Sequence, residues 1–330
     1  MNHEIASEDG VLDAIGRTPI VRLKKLFPNE AVRVYAKLEG LNPGGSIKDR
    51  PAVTMVRRAV DSGRLTPGRS TLIESSSGNL GIGLAQACAY YGIDFVCVAD
   101  TRTSSQNIKI MRALGAQVRV VDHPDPETGE LLVARKKLVK RLVSATPGAI
   151  SLDQYVNPAN PLAHHTTMSE IIEKVGADVD FVVCATGTVG TLRGCAEFIT
   201  AHGLNTKLVA VDAVGSVIFG QASLPRLIPG HGASERPAHY ADGLAHHVIH
   251  VSDAECVEGC RQLATAEAIL AGGSSGGIAV AAQRLISAVD RVATCVLIFP
   301  DRGERYLDTV YDDEWVRQNI TPYHLADQRN

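Results

Sequence analysis

The sequence has no hydrophobic run that approaches the roughly 18 apolar residues of a membrane span. Its first four residues, MNHE, have neither the basic flank nor the apolar stretch of a signal peptide. The net charge is only -3 over 330 residues, and there is no basic tail. This balance argues against nucleic acid or a membrane surface as the main partner. We therefore expect a cytoplasmic protein with neither kind of partner.

Cysteine is also scarce, with seven residues, an odd number. Most of them lie in apolar segments, which predicts buried and reduced thiols. Cys256 and Cys260 would share one helix face, but no His or Cys residues with zinc-like spacing accompany them. We expect no metal site.

Hydrophobic residues make up 45% of the chain, which is ample for a core, and its length favours about two domains. Continuous apolar runs, typical of strands buried on both faces, alternate with helical patterns, and this alternation predicts an α/β fold with mostly parallel sheets. The predicted strands are 32–37, 71–74, 95–99, 117–121, 181–185, 208–212 and 295–299. The predicted helices are 49–62, 80–91, 104–114, 131–142, 162–175, 192–202, 254–271 and 278–289.

Three segments are predicted to be turns or loops. Residues 122–130 are polar and read as an exposed loop. Residues 215–243 form a long stretch rich in Gly and Pro, and such loops are more often functional than accidental. Residues 157–161, NPANP, mark a turn near mid-chain that is a plausible domain junction.

Lys48 follows a Pro-Gly-Gly-Ser turn at 43–46. A Ser N-cap at this turn would place Lys48 in the first turn of the next helix, where the helix dipole disfavours its ammonium form. A lysine whose pKa is lowered in this way is a nucleophile that can form a Schiff base.

A Ser- and Gly-rich segment at 74–81, ESSSGNLG, follows a predicted strand and opens a helix. Backbone N–H groups at a helix N-terminus bind anions, and serine hydroxyls add donors, so the segment suits a carboxylate or a phosphate. An ordinary N-cap is the plainer alternative. The glycine order, G-x-x-G-x-G, is the reverse of the dinucleotide fingerprint, which argues against that class although Asp100 lies about 20 residues downstream.

Residues 186–191, TGTVGT, also stand between a predicted strand and a helix. Two glycines allow close approach of the backbone, three threonines offer hydroxyls, and the helix dipole favours a phosphate. The segment lacks the lysine of a P-loop, so ATP is not expected; a tight strand–helix turn is the alternative. Residues 272–277 and 299–306 are two more loops at predicted element ends, and such loops bind ligands in open α/β sheets.

Together these motifs resemble the cysteine synthase family of fold-type II pyridoxal phosphate (PLP) enzymes, over nearly the whole chain from 15 to 307. The resemblance implies a tryptophan synthase β-like fold: two doubly wound parallel-sheet domains with the active site between them. It places a smaller, partly mobile domain at 37–155 and the cofactor-phosphate domain at 13–36 plus 156–322. It also implies a homodimer.

The resemblance implies a role for each matching residue. Lys48 is the lysine that forms the Schiff base, and Asn79 hydrogen-bonds the ring oxygen of the cofactor. The remaining cofactor contacts are assigned to Thr186, Gly187, Thr188, Gly190, Thr191 and Ser274. Ser76, Ser77 and Gly78 bind the carboxylate of the amino acid.

Departures from the common family pattern point to one branch of it. Leu80 replaces a common Thr, Tyr155 a common Phe, and Asp301-Arg302 stand where the family places a serine near the pyridine nitrogen; we count Asp301 and Arg302 as cofactor-binding candidates. That branch joins O-phospho-L-serine and L-glutamate to N-(2-amino-2-carboxyethyl)-L-glutamate, for 2,3-diaminopropionate and siderophores.

Anionic substrates need cations and donors, which Arg135 and Tyr155 could supply. Tyr155 could instead be a half-buried aromatic residue, and Arg135 a solvated residue on a helix. Two other functions stay open: a cysteine synthase that uses O-acetylserine or O-phosphoserine with sulfide, and a non-catalytic amino-acid-binding protein. Lys48 argues against the second of these, since a binder needs no Schiff base.

Overall fold

The structure, a computed structural model, describes residues 10–320. The strands in this part of the chain are β1 (Ile20–Arg22), β2 (Val32–Leu38), β3 (Thr71–Ser75), β4 (Asp94–Asp100), β5 (Gln117–Val121), β6 (Ala149–Ile150), β7 (Phe181–Ala185), β8 (Lys207–Ala213), β9 (His247–Val251) and β10 (Ala293–Phe299). The α-helices are α1 (Asp49–Asp61), α2 (Asn79–Tyr91), α3 (Ser105–Ala113), α4 (Leu131–Ala145), α5 (Ala159–Val175), α6 (Gly190–Ala201), α7 (Asp253–Glu267), α8 (Gly273–Ser287) and α9 (Asp313–Asn319).

These residues divide into two compact units. The first comprises residues 10–18 and 42–159, and the second comprises 19–41 and 160–320. The predicted domains differ at 13–18, 37–41 and 156–159, which fall in the opposite units. Residues 37–41 stay in the second unit because β2 pairs with β10 up to Leu38 and a 3-10 helix, Glu39–Leu41, follows directly. Residues 321–322 of the predicted second domain lie outside the described residues.

The first unit is built on a four-stranded parallel sheet in the order β5-β4-β3-β6. Helix α2 is buried along most of its length and packs against α1. A Cβ at Gly83 of α2 would lie 2.8 Å from the Ala52 Cβ and 3.2 Å from the Lys48 carbonyl oxygen. Glycine at this position therefore lets α2 approach the start of α1, where Lys48 lies.

The second unit is built on a six-stranded sheet in the order β1-β2-β10-β7-β8-β9. Only the β1–β2 pair within it is antiparallel. All seven residues of β10 are buried, as expected for a strand covered on both faces. The predicted α/β fold with mostly parallel sheets is confirmed.

Two predicted helix ends in the second unit are wrong. Helix α7 ends at Glu267 rather than 271, because Ala268 adopts a left-handed conformation with φ 57° and closes the helix. Helix α8 begins at Gly273, five residues before the predicted start at 278, so most of the glycine-rich segment is helical rather than a loop. The reason is helix packing: a Cβ at Gly276 would lie 2.0 Å from the Cys256 carbonyl oxygen of α7.

All seven cysteines are free and buried, as predicted. Burial raises the pKa of the Cys184 thiol to about 12. Within residues 10–320, no helix is long and apolar enough to cross a membrane.

Candidate active site

Lys48 lies directly before α1, at its N-cap position, with helical backbone angles. The prediction that Lys48 lies in the first turn behind a Ser N-cap is therefore wrong, because the N-cap is Lys48 itself, two residues after Ser46. Ser46 instead accepts the Lys48 N–H through Oγ at 3.1 Å and so orders the turn. The lysine is half-buried at the positive end of α1.

The serine-rich loop joins β3 to α2, as predicted, and Asn79 is the first residue of α2. Ser76 is buried, and its Oγ accepts the Gly81 N–H at 2.9 Å and the Gly78 N–H at 3.4 Å. The N-cap residue of α2 is Gly78, so the ordinary Ser or Asn N-cap of the plainer alternative is absent. The Ser76 hydroxyl accepts a first-turn N–H group from outside the helix, and its own hydrogen can still be donated to an anion. Ser77 and Gly78 are half-buried in the same loop.

Arg135 is buried on α4, so it is not the solvated helix residue of the alternative interpretation. Its Nε lies 3.1 Å from Oδ2 of Asp100, at the end of β4, so the two side chains form an ion pair. The Nε–H group does not make a hydrogen bond to this oxygen. Asp100, which the sequence analysis considered as a ribose-binding acid, is therefore the ion-pair partner of Arg135. On the same helix, Lys137 is held by Asp125 and Glu127 at 2.7 and 2.8 Å.

Tyr155 is half-buried in the first unit, and the Lys136 ammonium lies 5.7 Å from the centre of its ring. Residues of α4 and the segment around Tyr155 are thus neighbours, as a shared role in binding anions requires. The half-buried position of Tyr155 also agrees with the alternative interpretation, in which Tyr155 is a half-buried aromatic residue without a role in binding substrate.

Glu74, at the end of β3, was not singled out from the sequence. Its buried carboxylate accepts four hydrogen bonds, from the Ser75, Leu152 and Asp153 N–H groups and from Ser151 Oγ, at 2.8–3.0 Å. Burial raises the pKa of this carboxyl, while the hydrogen bonds oppose that rise. The acidic residue at a strand end was the only available signal, since three of its four partners lie almost 80 positions away.

In the second unit, residues 186–189 connect β7 to α6, as predicted. Val189 is buried with φ 65°, a conformation that is strained for a β-branched residue and marks a special turn. The two glycines are required by packing within the protein. A Cβ at Gly187 would lie 2.7 Å from the Gly230 carbonyl oxygen, and one at Gly190 would lie 2.2 Å from Asn160 Oδ1. The long loop between β8 and β9 thus supports this turn through Gly230.

The hydroxyls of Thr188 and Thr191 have different surroundings. Thr188 Oγ1 accepts the Gly190 N–H at 3.3 Å and Asn160 Nδ2 at 3.2 Å. Thr191 Oγ1 lies 3.3 Å from Nε2 of the buried His164, whose Nδ1 lies 3.2 Å from Thr167 Oγ1. Because the acceptor positions of Thr188 are used by the protein, its hydrogen is available to an anion.

Thr186 does not share this arrangement. Its N–H donates to the Val211 carbonyl at 2.9 Å, and its hydroxyl lies 3.0 Å from Asp212 Oδ1 and 3.2 Å from the Val211 oxygen. Both donors are therefore directed onto β8, and Thr186 is removed from the expected phosphate donors. Asp212, which is buried and whose pKa is raised by burial, was missed by the sequence analysis.

At the start of α8, Ser274 is buried in the first turn, and the Asp301 carboxylate lies against Gly272. Asp301 Oδ2 accepts the Tyr306 hydroxyl at 2.5 Å, and its carbonyl accepts the Gly272 N–H at 3.1 Å. Arg302 is different: its side chain is 47% exposed and lies 3.9 Å from Glu304. Asp301 therefore belongs to the buried environment of Ser274, whereas Arg302 faces outward.

The donor set of the second unit fits a phosphate monoester such as that of PLP. Helices α3, α7 and α9 begin with a side-chain cap from Ser104, Ser252 and Asp312, whereas the N-cap residue of α6 is Val189, which offers no side-chain acceptor. First-turn N–H groups have no intrahelical partner, so those of α6 that follow Gly190 can bind an anion together with the Thr188 hydroxyl.

Known proteins agree with this arrangement. The family model described as pyridoxal-phosphate dependent enzyme matches residues 11–301. An N-(2-amino-2-carboxyethyl)-L-glutamate synthase from Ralstonia nicotianae is 43% identical over 307 residues, which cover 93% of this chain and 90% of that protein.

Solved structures are similar over nearly the whole chain. An O-acetylserine-dependent cystathionine β-synthase from Helicobacter pylori has a TM-score of 0.84 at 32% identity, covering 93% of this chain and 99% of that one. An O-acetylserine sulfhydrylase isoform from Entamoeba histolytica has a TM-score of 0.86 at 31% identity, covering 94% and 93%. The fold and these matches together show that the chain belongs to the family of pyridoxal-phosphate-dependent enzymes.

Proposed function

We propose that this enzyme catalyses a β-replacement in which O-phospho-L-serine and L-glutamate give N-(2-amino-2-carboxyethyl)-L-glutamate and phosphate, a step toward 2,3-diaminopropionate. The observation that carries the proposal is Arg135, a buried cation on α4 in the same unit as the amino-acid loop. The name of the Ralstonia relative supports the same reaction.

PLP would be held by the residues that match the family pattern. Gly187, Thr188, Gly190 and Thr191 would bind its phosphate, Asn79 and Ser274 its ring, and Lys48 its aldehyde carbon. Bound there, PLP supplies an electron sink for the α-carbon of the substrate. The Lys48 amine, once displaced by the substrate, would remove the α-proton as a general base.

The first unit would bind the amino acid. Ser76, Ser77 and Gly78 would take its α-carboxylate, with the Ser76 hydroxyl as a donor. The guanidinium of Arg135 has five donors, of which the Nε group faces Asp100 and the Nη groups are our candidates for binding an anion. These groups would hold the leaving phosphate or a glutamate carboxylate, and the Tyr155 hydroxyl would orient the substrate.

We further propose that the enzyme is a cytoplasmic homodimer whose first unit is the mobile one. The family resemblance supports the dimer. The need to protect reactive intermediates from water supports the motion. Sedimentation equilibrium at micromolar concentration tests the dimer, and a monomer there would contradict it.

The reaction is tested by measuring phosphate release from O-phosphoserine in the presence of glutamate or sulfide. We expect release that depends on glutamate, with Lys48→Ala as the inactive control. Release that needs sulfide, and not glutamate, would assign the enzyme to the cysteine synthases instead.

A further inference from the structure

A short strand ends abruptly in the first unit. Strand β6 pairs with β3 through two residues, Ala149 and Ile150, and the ladder then stops. The next backbone N–H groups along the chain, those of Leu152 and Asp153, are bonded instead by Oε2 of Glu74 at 3.0 and 2.8 Å. A side chain of β3 thus replaces the missing strand pairing.

The chain turns sharply at this point. Asp153 has φ 43°, a left-handed conformation that is strained in a residue other than glycine and persists only where its surroundings enforce it. Asp153 Oδ1 accepts the Tyr155 N–H at 3.0 Å, and its carbonyl accepts the Val156 and Asn157 N–H groups. The strained residue therefore sets the direction in which Gln154 and Tyr155 leave the sheet.

The same carboxylate also reaches the loop that follows β3. Glu74 Oε1 accepts the Ser75 N–H at 3.0 Å, directly before Ser76 and Ser77. Each of its four contacts is a donor, as an ionised carboxylate requires. One buried side chain thus joins the two segments to which our proposed function assigns the substrate.

We propose that Glu74 is a positioning residue that fixes the 151–155 segment, and with it Tyr155, relative to the amino-acid loop at 76–78. It acts through the backbone of these segments and does not touch the substrate. The inference rests on the proposed function for the role of Tyr155, but the positioning itself can be measured without turnover.

The test is Glu74→Gln in the holoenzyme, because the glutamine amide presents a donor to the N–H groups that the carboxylate now accepts. We expect faster hydrogen exchange of the 152–155 amides and a tenfold or greater rise in KM for O-phosphoserine, with a smaller change in kcat. Loss of one charge-assisted hydrogen bond corresponds to about a ten- to hundredfold effect.

The matched control is Glu267→Gln. Glu267 Oε1 also accepts two backbone N–H groups, of Lys25 and Leu26, both at 2.8 Å, but on a segment of the second unit with no proposed substrate role. This variant should lose stability without a rise in KM. Should Glu74→Gln fail to fold, Ser151→Ala removes a single bond to Oε2 and should raise KM in the same direction by a smaller factor.

A second substitution in the Glu74→Gln variant distinguishes a loss of positioning from a general loss of stability. Asn tolerates the left-handed conformation better than Asp and keeps the acceptor for the Tyr155 N–H. Asp153→Asn should therefore partly restore KM in Glu74→Gln. Unchanged exchange at 152–155, or a KM equal to that of the wild type, would overturn the inference. Altered exchange without any coupling of glutamate would instead leave the positioning intact and refute the proposed reaction.

Discussion

A single hydroxyl hydrogen distinguishes Thr188 from Thr186. The sequence TGTVGT presents both as equivalent donors, and no rule of spacing tells them apart. In the fold, Thr188 accepts from Gly190 and Asn160, whereas Thr186 donates to β8 through Asp212. Only the first can offer its hydrogen to a phosphate.

This difference predicts unequal effects of removing the two hydroxyls. Thr188→Val should raise the dissociation constant for PLP about ten- to hundredfold, since a hydrogen bond to a charged group is worth about 1.5–3 kcal/mol. Thr186→Val should change it by much less and mainly lower stability. Equilibrium titration of the apoenzyme with PLP checks both, and a larger effect at Thr186 would contradict this description of the turn.

Arg135 and Tyr155 are expected to act on the substrate and not on the cofactor. Arg135→Ala and Tyr155→Phe should each slow the coupling of O-phosphoserine with glutamate about ten- to hundredfold. The visible absorbance of the bound cofactor should stay as in the wild type. Arg141→Ala, an exposed position on the same helix, serves as the control. Two variants as active as the wild type would remove both residues from the substrate site.

The sequence analysis did not identify functional residues whose hydrogen-bond partners are distant in sequence. Local motifs next to helix starts identified Lys48, Asn79 and the serine-rich loop. Glu74 and Asp212 carry no such motif, because their roles arise from contacts with 151–153 and with Thr186, which only the folded chain brings together. Asp301 was noticed because it departs from a family pattern, not because of its burial.

At the scale of elements, the buried parallel strands were predicted best. Strand β7 has the predicted bounds, since a continuous apolar run between turn signals identifies it. Strand β5 also has the predicted bounds, although it contains polar residues and is largely exposed. The missed strands β1, β6 and β9 are short or polar: β6 has two residues, and β9 contains two histidines. Their strand conformation comes from pairing with a neighbour, which a single sequence does not display.

Glycines were the main source of error at this scale. The run at 272–277 was interpreted as a ligand loop, but Gly276 permits the contact between α7 and α8, where its Cβ would lie 2.0 Å from the Cys256 oxygen. A sequence does not show whether a glycine is needed for the close approach of a neighbouring helix or for the close approach of a ligand.

The helix contact gives a stability prediction. Gly276→Ala should push α7 and α8 apart and lower the free energy of unfolding by about 1–3 kcal/mol or more, as overpacking does. Ser287→Ala, at the exposed end of α8, should have little effect. Urea denaturation of both variants measures this, and equal stability of Gly276→Ala and the wild type would show that the two helices can separate freely.

At the scale of the whole molecule, acid stability depends on a buried neutral histidine. His231 is buried, its Nε2 lies 3.2 Å from the Val211 carbonyl oxygen, and burial lowers its pKa to about 4. The unfolded chain binds a proton near pH 6.5 and the folded one only near pH 4. Stability should therefore fall as the pH drops from 6.5 to 4, by on the order of 3 kcal/mol from this group.

The measurement is urea denaturation of the wild type and of His231→Gln across this pH range. The variant cannot take up the proton, so the difference in stability between the two proteins should shrink or reverse on acidification. A difference that does not change with pH would show that His231 is protonated equally in both states.

The central claim, that this enzyme joins two anionic amino acids, is tested most directly by a competition experiment. The holoenzyme is given O-phospho-L-serine with equimolar 15N-labelled L-glutamate and sulfide, and the products are identified by mass. We expect the label in N-(2-amino-2-carboxyethyl)-L-glutamate as the main product, with one phosphate released for each molecule formed. Cysteine as the main product, with the label left in free glutamate, would contradict the account.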